Sequence, residues 1–391
     1  MKYAPLPLLR RGLEGGLYIH IPLCLSRCSY CDFYSTTGLN NKKSLLDGIR
    51  KEMNLRKDYL NGETIHTIYF GGGTPSLLSA EEIEKILGEI FKLFDCSPEE
   101  ITLEANPDDL SPYYIRSLSR LPINRLSIGI QSFNDADLKR MNRRHTSSQA
   151  ISAVKECQDA GLDNISIDLI YGLPGQTLEQ WEKNLRIAIN LQAPHISAYH
   201  LTYEKGTEFF KQWKQGHISP VEETLSKAMF DILRNTLKEA GFRQYEISNF
   251  AKPGMESKHN SSYWNDVPYI GLGPSAHSYN GVSRQWNVSD IGIYIKALEK
   301  GSPFYEIEEL DNNTRYNDFV ITSLRTMNGM DTNLMKEKFG DKLSTYCLKN
   351  AETFINRNLL ELKDKKLRLT EDGIFVSDGI MSELLRVSFL D

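Results

Sequence analysis

The sequence predicts an α/β fold: a partial barrel of six β/α units with a smaller, winged-helix-like α+β domain at its C-terminal end. Three observations support this prediction. Short β-rich runs alternate with amphipathic helical stretches over the first 215 residues. Polar and glycine-rich features follow several of these runs. Beyond that region the alternation stops, and a pattern of helix, helix, strand, strand and helix begins near residue 311.

The barrel prediction depends on six β-rich runs. They are LYIHIP (17–22), TIYF (67–70), ITLEA (101–105), RLSIGI (125–130), NISIDLIYG (164–172) and HISAYHL (195–201). Most runs precede a turn and a stretch such as SAEEIEKILGEIFKLF, whose apolar residues recur at spacings of three and four. Apolar strands separated by helices are typical of a parallel sheet covered on its outer face. Six units rather than eight predict an incomplete barrel.

The rest of the chain has a different character. The stretch 244–280 is rich in aromatic, Gly, Ser and Asn residues, and we expect loop packed against one end of the barrel. Near the C-terminus, NLLELKDKKLRLTEDG predicts two short strands around a Lys-rich turn, which is typical of a winged helix. We therefore expect a barrel over 1–215, a connecting helix and barrel-end segment over 216–305, and a winged-helix-like domain over 306–391.

Composition restricts the classes of partner. The 391-residue chain carries 46 basic and 51 acidic residues, a net charge of −5 that argues against a large phosphate-binding face. Nucleic acid is therefore not an expected partner. No apolar run approaches the roughly 18 residues of a membrane span, and MKYAPLPLLRRGLEGG lacks the apolar core of a signal peptide. We expect a cytoplasmic protein without a transmembrane segment, and leave peripheral membrane contact open.

Polar features gather where the predicted strands end. Three cysteines follow the first strand, GGGTP follows the second, Glu104 lies near the end of the third, Gln131 follows the fourth and Asp168 lies within the fifth. In β/α barrels the functional residues lie at the C-terminal ends of the strands. Glycines and acids also serve ordinary turns and salt bridges, but so many at one end predict a site there.

The spacing of Cys24, Cys28 and Cys31 within HIPLCLSRCSYCDFYS indicates metal binding. Three thiolates spaced C-x3-C-x2-C can hold one cubic iron–sulfur cluster, each sulfur on a separate iron, with one iron left open. A zinc site, with His20 as a further ligand, is the weaker alternative because structural zinc usually has four ligands and paired C-x2-C motifs. The remaining cysteines are isolated and are expected to be small core residues: Cys96, Cys157 and Cys347.

This cysteine motif resembles that of the radical S-adenosylmethionine (SAM) superfamily. The resemblance implies a partial (β/α)6 radical SAM barrel with a [4Fe–4S] cluster on the three cysteines. It also implies SAM on the fourth iron, cleaved after one-electron reduction to a 5′-deoxyadenosyl radical. The residues that the resemblance assigns to SAM are Tyr18, Tyr30, Gly72, Gly73, Thr74, Glu104, Gln131, Arg143, Asp168 and Thr202. For Arg143, an ordinary surface charge is the alternative.

Further segments narrow the resemblance to the HemN/HemW group. They are HIPLC, CDFYS, YFGGGTPS, EANPDDL, GIQSF, DLIYGLPGQT, QYEISNFA and HNSSYW. One branch contains oxygen-independent coproporphyrinogen III oxidases, which usually carry a fourth cysteine two places after the third and a longer N-terminal segment. Here Phe33 occupies that place, and the first strand is reached after sixteen residues. Both departures favour the other branch, the HemW-type haem chaperones, which hold haem and pass it to respiratory proteins.

The segment HNSSYW (259–264) resembles the H-N-x-x-Y-W motif of that branch. Histidine is a common axial ligand of haem iron, and the rings of Tyr263 and Trp264 could pack on a macrocycle. His259 is therefore a haem candidate, and His277 is a second. A hydrogen-bonded aromatic core is the alternative reading. Three functions stay open: a haem chaperone, a porphyrinogen-oxidising oxidoreductase and a nucleic-acid-modifying radical SAM enzyme.

Overall fold

The structure is a computed structural model that describes residues 14–386. Residues 1–13, which carry most of the segment assessed above for a signal peptide, lie outside the described residues, as do residues 387–391. The described strands are β1 (Glu14–Ile21), β2 (Thr64–Gly72), β3 (Cys96–Ala105), β4 (Arg125–Gln131), β5 (Ile165–Tyr171), β6 (His195–His200), β7 (Arg243–Gln244), β8 (Asn249–Ala251), β9 (Tyr269–Leu272), β10 (His277–Tyr279), β11 (Ser283–Asn287), β12 (Tyr305–Glu309), β13 (Met330–Asp331), β14 (Leu360–Lys363) and β15 (Lys366–Leu369).

The described helices are α1 (Lys42–Leu55), α2 (Ala80–Leu93), α3 (Pro112–Leu118), α4 (Asp135–Arg140), α5 (Ser147–Asp159), α6 (Leu178–Asn190), α7 (Glu208–Lys214), α8 (Glu223–Glu239), α9 (Lys258–Trp264), α10 (Ile291–Lys300), α11 (Asn312–Arg325), α12 (Thr332–Asn356), α13 (Glu371–Phe375) and α14 (Ser377–Leu384). Between residues 14 and 386, no helix combines the length and the apolar character needed to cross a bilayer.

The predicted α/β barrel is confirmed. Strands β1 to β6 are neighbours in chain order and run parallel, with helices between them. The alternation of side chains along β1 places its two faces in different surroundings. Leu17, Ile19 and Ile21 are fully buried against the outer helices. Tyr18 and His20 lie on the opposite, inner face of the barrel.

Local sequence signals also determine where the helices begin and which face they bury. Helix α2 begins at a capping box in which the Ser79 hydroxyl accepts from the Glu82 amide and the Glu82 carboxylate accepts from the Ser79 amide. Its buried face repeats at helical spacing through Ile83, Ile86 and Ile90. The helix therefore begins directly after its N-cap residue, Ser79, and packs one apolar face against the sheet.

The prediction of loop over 244–280 is wrong in part. Helix α9 and strands β9 and β10 lie in this stretch, and β9 pairs in parallel with β1. Strands β10, β11 and β12 continue antiparallel, while β8 and β7 extend the other edge, so one sheet has the order β12-β11-β10-β9-β1-β2-β3-β4-β5-β6-β8-β7. These short strands gain their hydrogen bonds from strands distant in the sequence, which Gly-, Ser- and Asn-rich composition does not reveal.

The C-terminal helices and the sheet β13-β15-β14 form the expected winged-helix-like arrangement. Tyr316, Val320 and Leu324 of α11 are fully buried, and the hydrophobic core runs without a break from the barrel into this region. The Arg325 guanidinium also donates to the buried Glu246 carboxylate at 2.9 Å. The C-terminal region is thus packed against the barrel, and the boundaries at 215 and 305 stay predictions.

Candidate functional site

A cavity of about 530 Å³ opens at the C-terminal ends of the barrel strands. Loops that follow consecutive strands contribute its walls, as the barrel rule anticipates. The cavity brings together twelve residues singled out from the sequence: Cys24, Cys28, Cys31, Tyr30, Gly72, Gly73, Thr74, Glu104, Gln131, Arg143, Asp168 and Thr202.

The three cysteines lie in the loop between β1 and α1, with free, half-buried thiols. The hydroxyl of Thr74 lies 3.5 Å from the sulfur of Cys24, and Nη1 of Arg143 lies 3.3 Å from that of Cys28. Burial, with a smaller contribution from the nearby Cys28 and Cys24, raises the pKa of Cys31 to about 11. The Arg143 guanidinium supplies one positive charge beside Cys28, and iron would supply the positive charge that stabilises the thiolate form of all three cysteines.

This donor set fits a cubic cluster. Within residues 14–386, no three His, Cys, Asp or Glu side chains converge as ligands of one metal ion. Convergence is not required of a [4Fe–4S] cluster, because each cysteine binds a different iron. The other cysteines stand away from the cavity: Cys157 and Cys347 are fully buried and Cys96 is half-buried.

The glycines of GGGTP hold the cysteine loop against β2. A Cβ at Gly73 would lie 2.7 Å from the Leu23 carbonyl oxygen, which belongs to the start of the cysteine loop. Gly72 has φ +112°, and a Cβ there would lie 2.7 Å from Cε1 of His20. Protein atoms therefore already occupy the space that side chains would need. Both glycines also line the cavity, and their assignment to SAM stays a prediction.

Two carboxylates lie in the cavity wall. Glu104 accepts from the Tyr69 hydroxyl at 2.8 Å and from the Gly72 amide at 3.1 Å. Burial nevertheless raises the pKa of Glu104 to about 7. Asp168 accepts from the Ser127 hydroxyl at 3.1 Å, and burial raises its pKa as well. These acids can accept hydrogen bonds from an amine or from ribose hydroxyls.

Arg143 is a half-buried part of this wall, and hydrogen bonds hold its guanidinium in place, unlike an ordinary surface charge. Its Nη2 donates to the Asn106 side chain at 2.6 Å and to the Gly129 carbonyl, while Nη1 faces Cys28. Beside it, Gln131 has φ +69°, a conformation that costs a non-glycine residue energy and that recurs at binding sites.

Sequence reasoning missed several residues of the cavity wall. Arg144 forms ion pairs with Asp108 at 2.9 Å and with Asp109 at 3.0 Å. Asn106 holds Arg143, and the Tyr199 ring is 42 % exposed where it lines the cavity. Asn106 directly follows the third predicted strand and Tyr199 lies near the end of the sixth, and these positions were the available signal; Arg144 does not lie at a predicted strand end.

Tyr18 is placed elsewhere. It does not line the cavity; its hydroxyl lies 3.0 Å from Nδ1 of His20. Its ring stacks on Tyr69 at 6.0 Å and on His259 at 6.4 Å between ring centres. Tyr18 therefore belongs to an aromatic layer deeper in the barrel.

The HNSSYW segment forms α9, close to the N-terminal half of the strands. The ring of His259 is 1 % exposed, with Nδ1 2.8 Å from the Thr67 hydroxyl and Nε2 2.8 Å from the Tyr263 hydroxyl. Its backbone amide donates to Glu100, whose carboxylate also accepts from the Lys258 amide. Burial lowers the pKa of His259 to about 3, so its ring is neutral. Both ring nitrogens are already occupied.

The other haem candidates differ in exposure. The Trp264 ring lies beneath the Arg325 guanidinium at 4.8 Å, and its Nε1 is buried without a hydrogen-bond partner among residues 14–386. His277 of β10 is exposed and stacks on Trp286 at 6.2 Å. The two candidate histidines thus sit in opposite settings, one enclosed and one open.

Comparisons with known proteins agree with the geometry. Residues 18–188 match the radical SAM superfamily and residues 310–376 match the HemN C-terminal domain. "Heme chaperone HemW" of Bacillus subtilis is 34% identical over 374 residues, covering 94% of this chain and 98% of the relative. "Radical S-adenosyl methionine domain-containing protein 1, mitochondrial" of Mus musculus is 32% identical, covering 95% and 87%.

Among solved structures, coproporphyrinogen III oxidase (HemN) of Escherichia coli superposes with a TM-score of 0.83 at 21% identity, covering 95% of this chain and 90% of that one. At that identity the similarity concerns the fold. The sequence relatives are matched over nearly their whole length, and they decide the branch. The chain therefore belongs to the HemW family of the radical SAM superfamily.

Proposed function

We propose that the chain is a haem chaperone that carries a [4Fe–4S] cluster on Cys24, Cys28 and Cys31 and binds SAM beside it. The observation that carries the proposal is the 34% identity to a relative named for haem chaperone activity, over 94% of this chain. When bound, the cluster and SAM supply one-electron chemistry that yields an adenosyl radical.

The chain's own residues would hold and orient these groups. Arg143 keeps a positive charge beside Cys28 and supports the thiolate there. Glu104 and Asp168 offer carboxylate oxygens to the amine or ribose of SAM, and the Tyr30 ring lines the same cavity, where an adenine could pack.

Haem would be the cargo, and an imidazole is the expected ligand of its iron. His277 presents an exposed ring stacked on Trp286, so it could bind haem with little rearrangement. His259 could do so only if a ring nitrogen left the Tyr263 or Thr67 hydroxyl. Both histidines are proposed ligands, and the open one requires the smaller change.

Coproporphyrinogen III oxidation is the second candidate, because the fold superposes closely on an enzyme with that activity. Against it, Phe33 stands where that branch usually has a fourth cysteine. Its ring is 66 % exposed and lines the cavity.

The test is anaerobic reconstitution followed by haem titration. We expect a haem Soret band in the wild type, reduced or shifted by His277→Ala, with His259→Ala as the matched comparison. A wild-type chain that takes up the cluster but no haem would overturn the proposal. Conversion of coproporphyrinogen III to protoporphyrinogen IX, with SAM and a reductant, would establish the oxidase instead.

We also propose respiratory haemoproteins as acceptors and the cytoplasm as the location. The acceptors follow from the branch that the motifs resemble, and free thiols at Cys24, Cys28 and Cys31 suit a reducing compartment. Haem transfer to a respiratory apo-cytochrome, followed by its absorbance, tests the first. Persistent retention of haem by the loaded chain would count against it.

A further inference from the structure

We infer that a basic pocket on the outer side of the cysteine loop is the docking site for a small acidic electron-carrier protein. The inference rests on the proposed function, since a cluster at the three cysteines must receive an electron to act. The pocket has a volume of about 480 Å³. Its basic side chains, which define the term basic pocket below, are Arg27, Lys139, Arg140 and Lys211.

The position of the basic pocket is the first argument. Cys28 lines both this pocket and the cofactor cavity, so it forms part of the wall between them. Electron transfer between proteins slows steeply with distance. A partner in the basic pocket would therefore lie next to Cys28, a proposed ligand of the cluster. Only the cysteine loop would then separate the partner from the cluster.

The charge of the basic pocket is the second argument. Four exposed basic side chains and a single acid, Glu208, line the pocket on a chain whose net charge is −5, and one of the four, Arg140, also donates to the Pro174 carbonyl. Within residues 14–386, Arg27 and Lys139 form no ion pair, and the nitrogen of Lys211 lies 3.9 Å from the Glu208 carboxylate. Such an uncompensated local charge attracts and orients an acidic partner.

The third argument is rigidity. The Ser29 hydroxyl donates to the Arg140 carbonyl at 3.1 Å, and the Asn142 side chain donates to the Arg27 carbonyl at 2.8 Å. The Phe209 amide of α7 donates to the Ser29 carbonyl at 2.8 Å. The cysteine loop, α4 and α7 are thus bonded to one another, so the backbone that carries the basic side chains is fixed relative to Cys28.

These features fit a protein carrier better than a single small anion. The charges come from three separate elements, and Leu25, two residues from Arg27, adds an apolar side chain that is 47 % exposed. Transient redox complexes bury little area, below about 1,200 Å², and depend on charge complementarity for their association rate. In the transfer the carrier is oxidised by one electron and the cluster is reduced by one, with no bond formed or broken.

The experiment compares two double variants with the same change of net charge. Lys139→Glu/Lys211→Glu alters the basic pocket, and Lys342→Glu/Lys349→Glu alters exposed lysines of α12. The probe is an acidic flavodoxin. Its oxidised form measures association by calorimetry at low and high salt, and its reduced form measures the rate at which the cluster absorbance bleaches.

We expect the pocket variant to bind oxidised flavodoxin at least about tenfold more weakly at low salt, and the control within about twofold of wild type. High salt should remove the difference. Bleaching by reduced flavodoxin should slow in parallel, whereas reduced methyl viologen, a small cation, should bleach both variants alike.

Equal flavodoxin affinity of the two double variants, or binding by wild type that does not weaken with salt, would overturn the inference. The milder Lys139→Gln/Lys211→Gln should also weaken flavodoxin binding, but by a smaller factor. Unchanged flavodoxin affinity in this variant would likewise count against the docking site. Cluster content and haem binding of each variant are measured in parallel. A wild type that lacks either the cluster or haem binding would refute the proposed function, whereas normal values of both with equal flavodoxin affinity refute the docking site alone.

Discussion

The two ends of the barrel satisfy their polar groups in different ways. At the cavity end, Cys24, Cys28 and Cys31 border an open space of about 530 Å³. At the base, defined here by Thr67, Glu100, His259 and Tyr263, each polar group described above meets another side chain or the backbone of α9. The comparison teaches that the first end is prepared to receive ligands, whereas the second holds elements of the chain together.

Tyr69 links the two ends directly. The Tyr69 ring stacks on His259 at 4.9 Å between ring centres, and the Tyr69 hydroxyl donates to Glu104 in the cavity wall. A change at the base can therefore reach the cavity through this aromatic ring and its hydrogen bond. A second route runs through hydrogen bonds from Glu100 by way of Ser257, Tyr245, His195 and Ser166 to Asp168. The predictions below test how far the two ends are independent.

The largest effect is expected at the cavity end. Replacing Cys24, Cys28 and Cys31 together by Ala should abolish iron–sulfur absorbance after anaerobic reconstitution, because the cluster loses all its protein ligands. The thermal unfolding midpoint of the metal-free chain should change little, because these thiols are only half-buried. Cys96→Ala is the matched control and should retain the cluster; a cluster in the triple variant would refute the assignment.

At the base, His259→Ala should lower the free energy of unfolding by about 4 kcal/mol, measured by urea denaturation. The change leaves a cavity and removes the partner of two buried hydroxyls, on Thr67 and Tyr263. His277→Ala, on an exposed ring, should cost less than about 0.5 kcal/mol. Equal stability losses in the two variants would contradict the contrast between an enclosed and an open histidine.

The next largest effect on stability is expected at Gly73. Gly73→Ala should destabilise the chain by about 3 kcal/mol, because the new Cβ would meet the Leu23 carbonyl of the cysteine loop. Iron content after reconstitution should fall with it. Gly88→Ala, at an exposed position of α2 with no atom near the new methyl group, should instead stabilise by up to about 1 kcal/mol. Weakened SAM binding without loss of iron or stability would show that Gly73 serves the ligand after all.

The smallest effect concerns pH. The folded pKa of Glu104, about 7, lies above its ordinary value of 4.5, so the folded chain binds more protons than the unfolded chain between these values. The contribution of Glu104 to stability is therefore present below about pH 4.5 and lost as pH rises to about 7. In the ligand-free chain, the free energy of unfolding should therefore change by about 2 kcal/mol less between these pH values in Glu104→Gln than in wild type. Urea unfolding at several pH values measures this difference. Parallel pH profiles for both proteins would show an ordinary Glu104 pKa.

The sequence by itself determined the features that depend on near neighbours. Alternation in β1 and the capping box at Ser79 and Glu82 are set within a few residues, so strands and helices of the barrel could be predicted. The three-cysteine spacing and the polar residues at strand ends were equally local, which is why most cavity residues were found. Arg144, Asn106 and Tyr199 lacked a distinctive spacing and were missed.

Tertiary structure decided everything that joins distant parts of the chain. The pairing of β9 with β1 brings together residues some 250 positions apart, and it turned a predicted loop into sheet. Thr67 and His259, 192 positions apart, meet only after folding, and that contact encloses the histidine while His277 stays open. Composition and periodicity report local interactions within a segment. The hydrogen bonds of His259 and the space beside Gly73 depend instead on which residues, remote in the sequence, the fold places next to them.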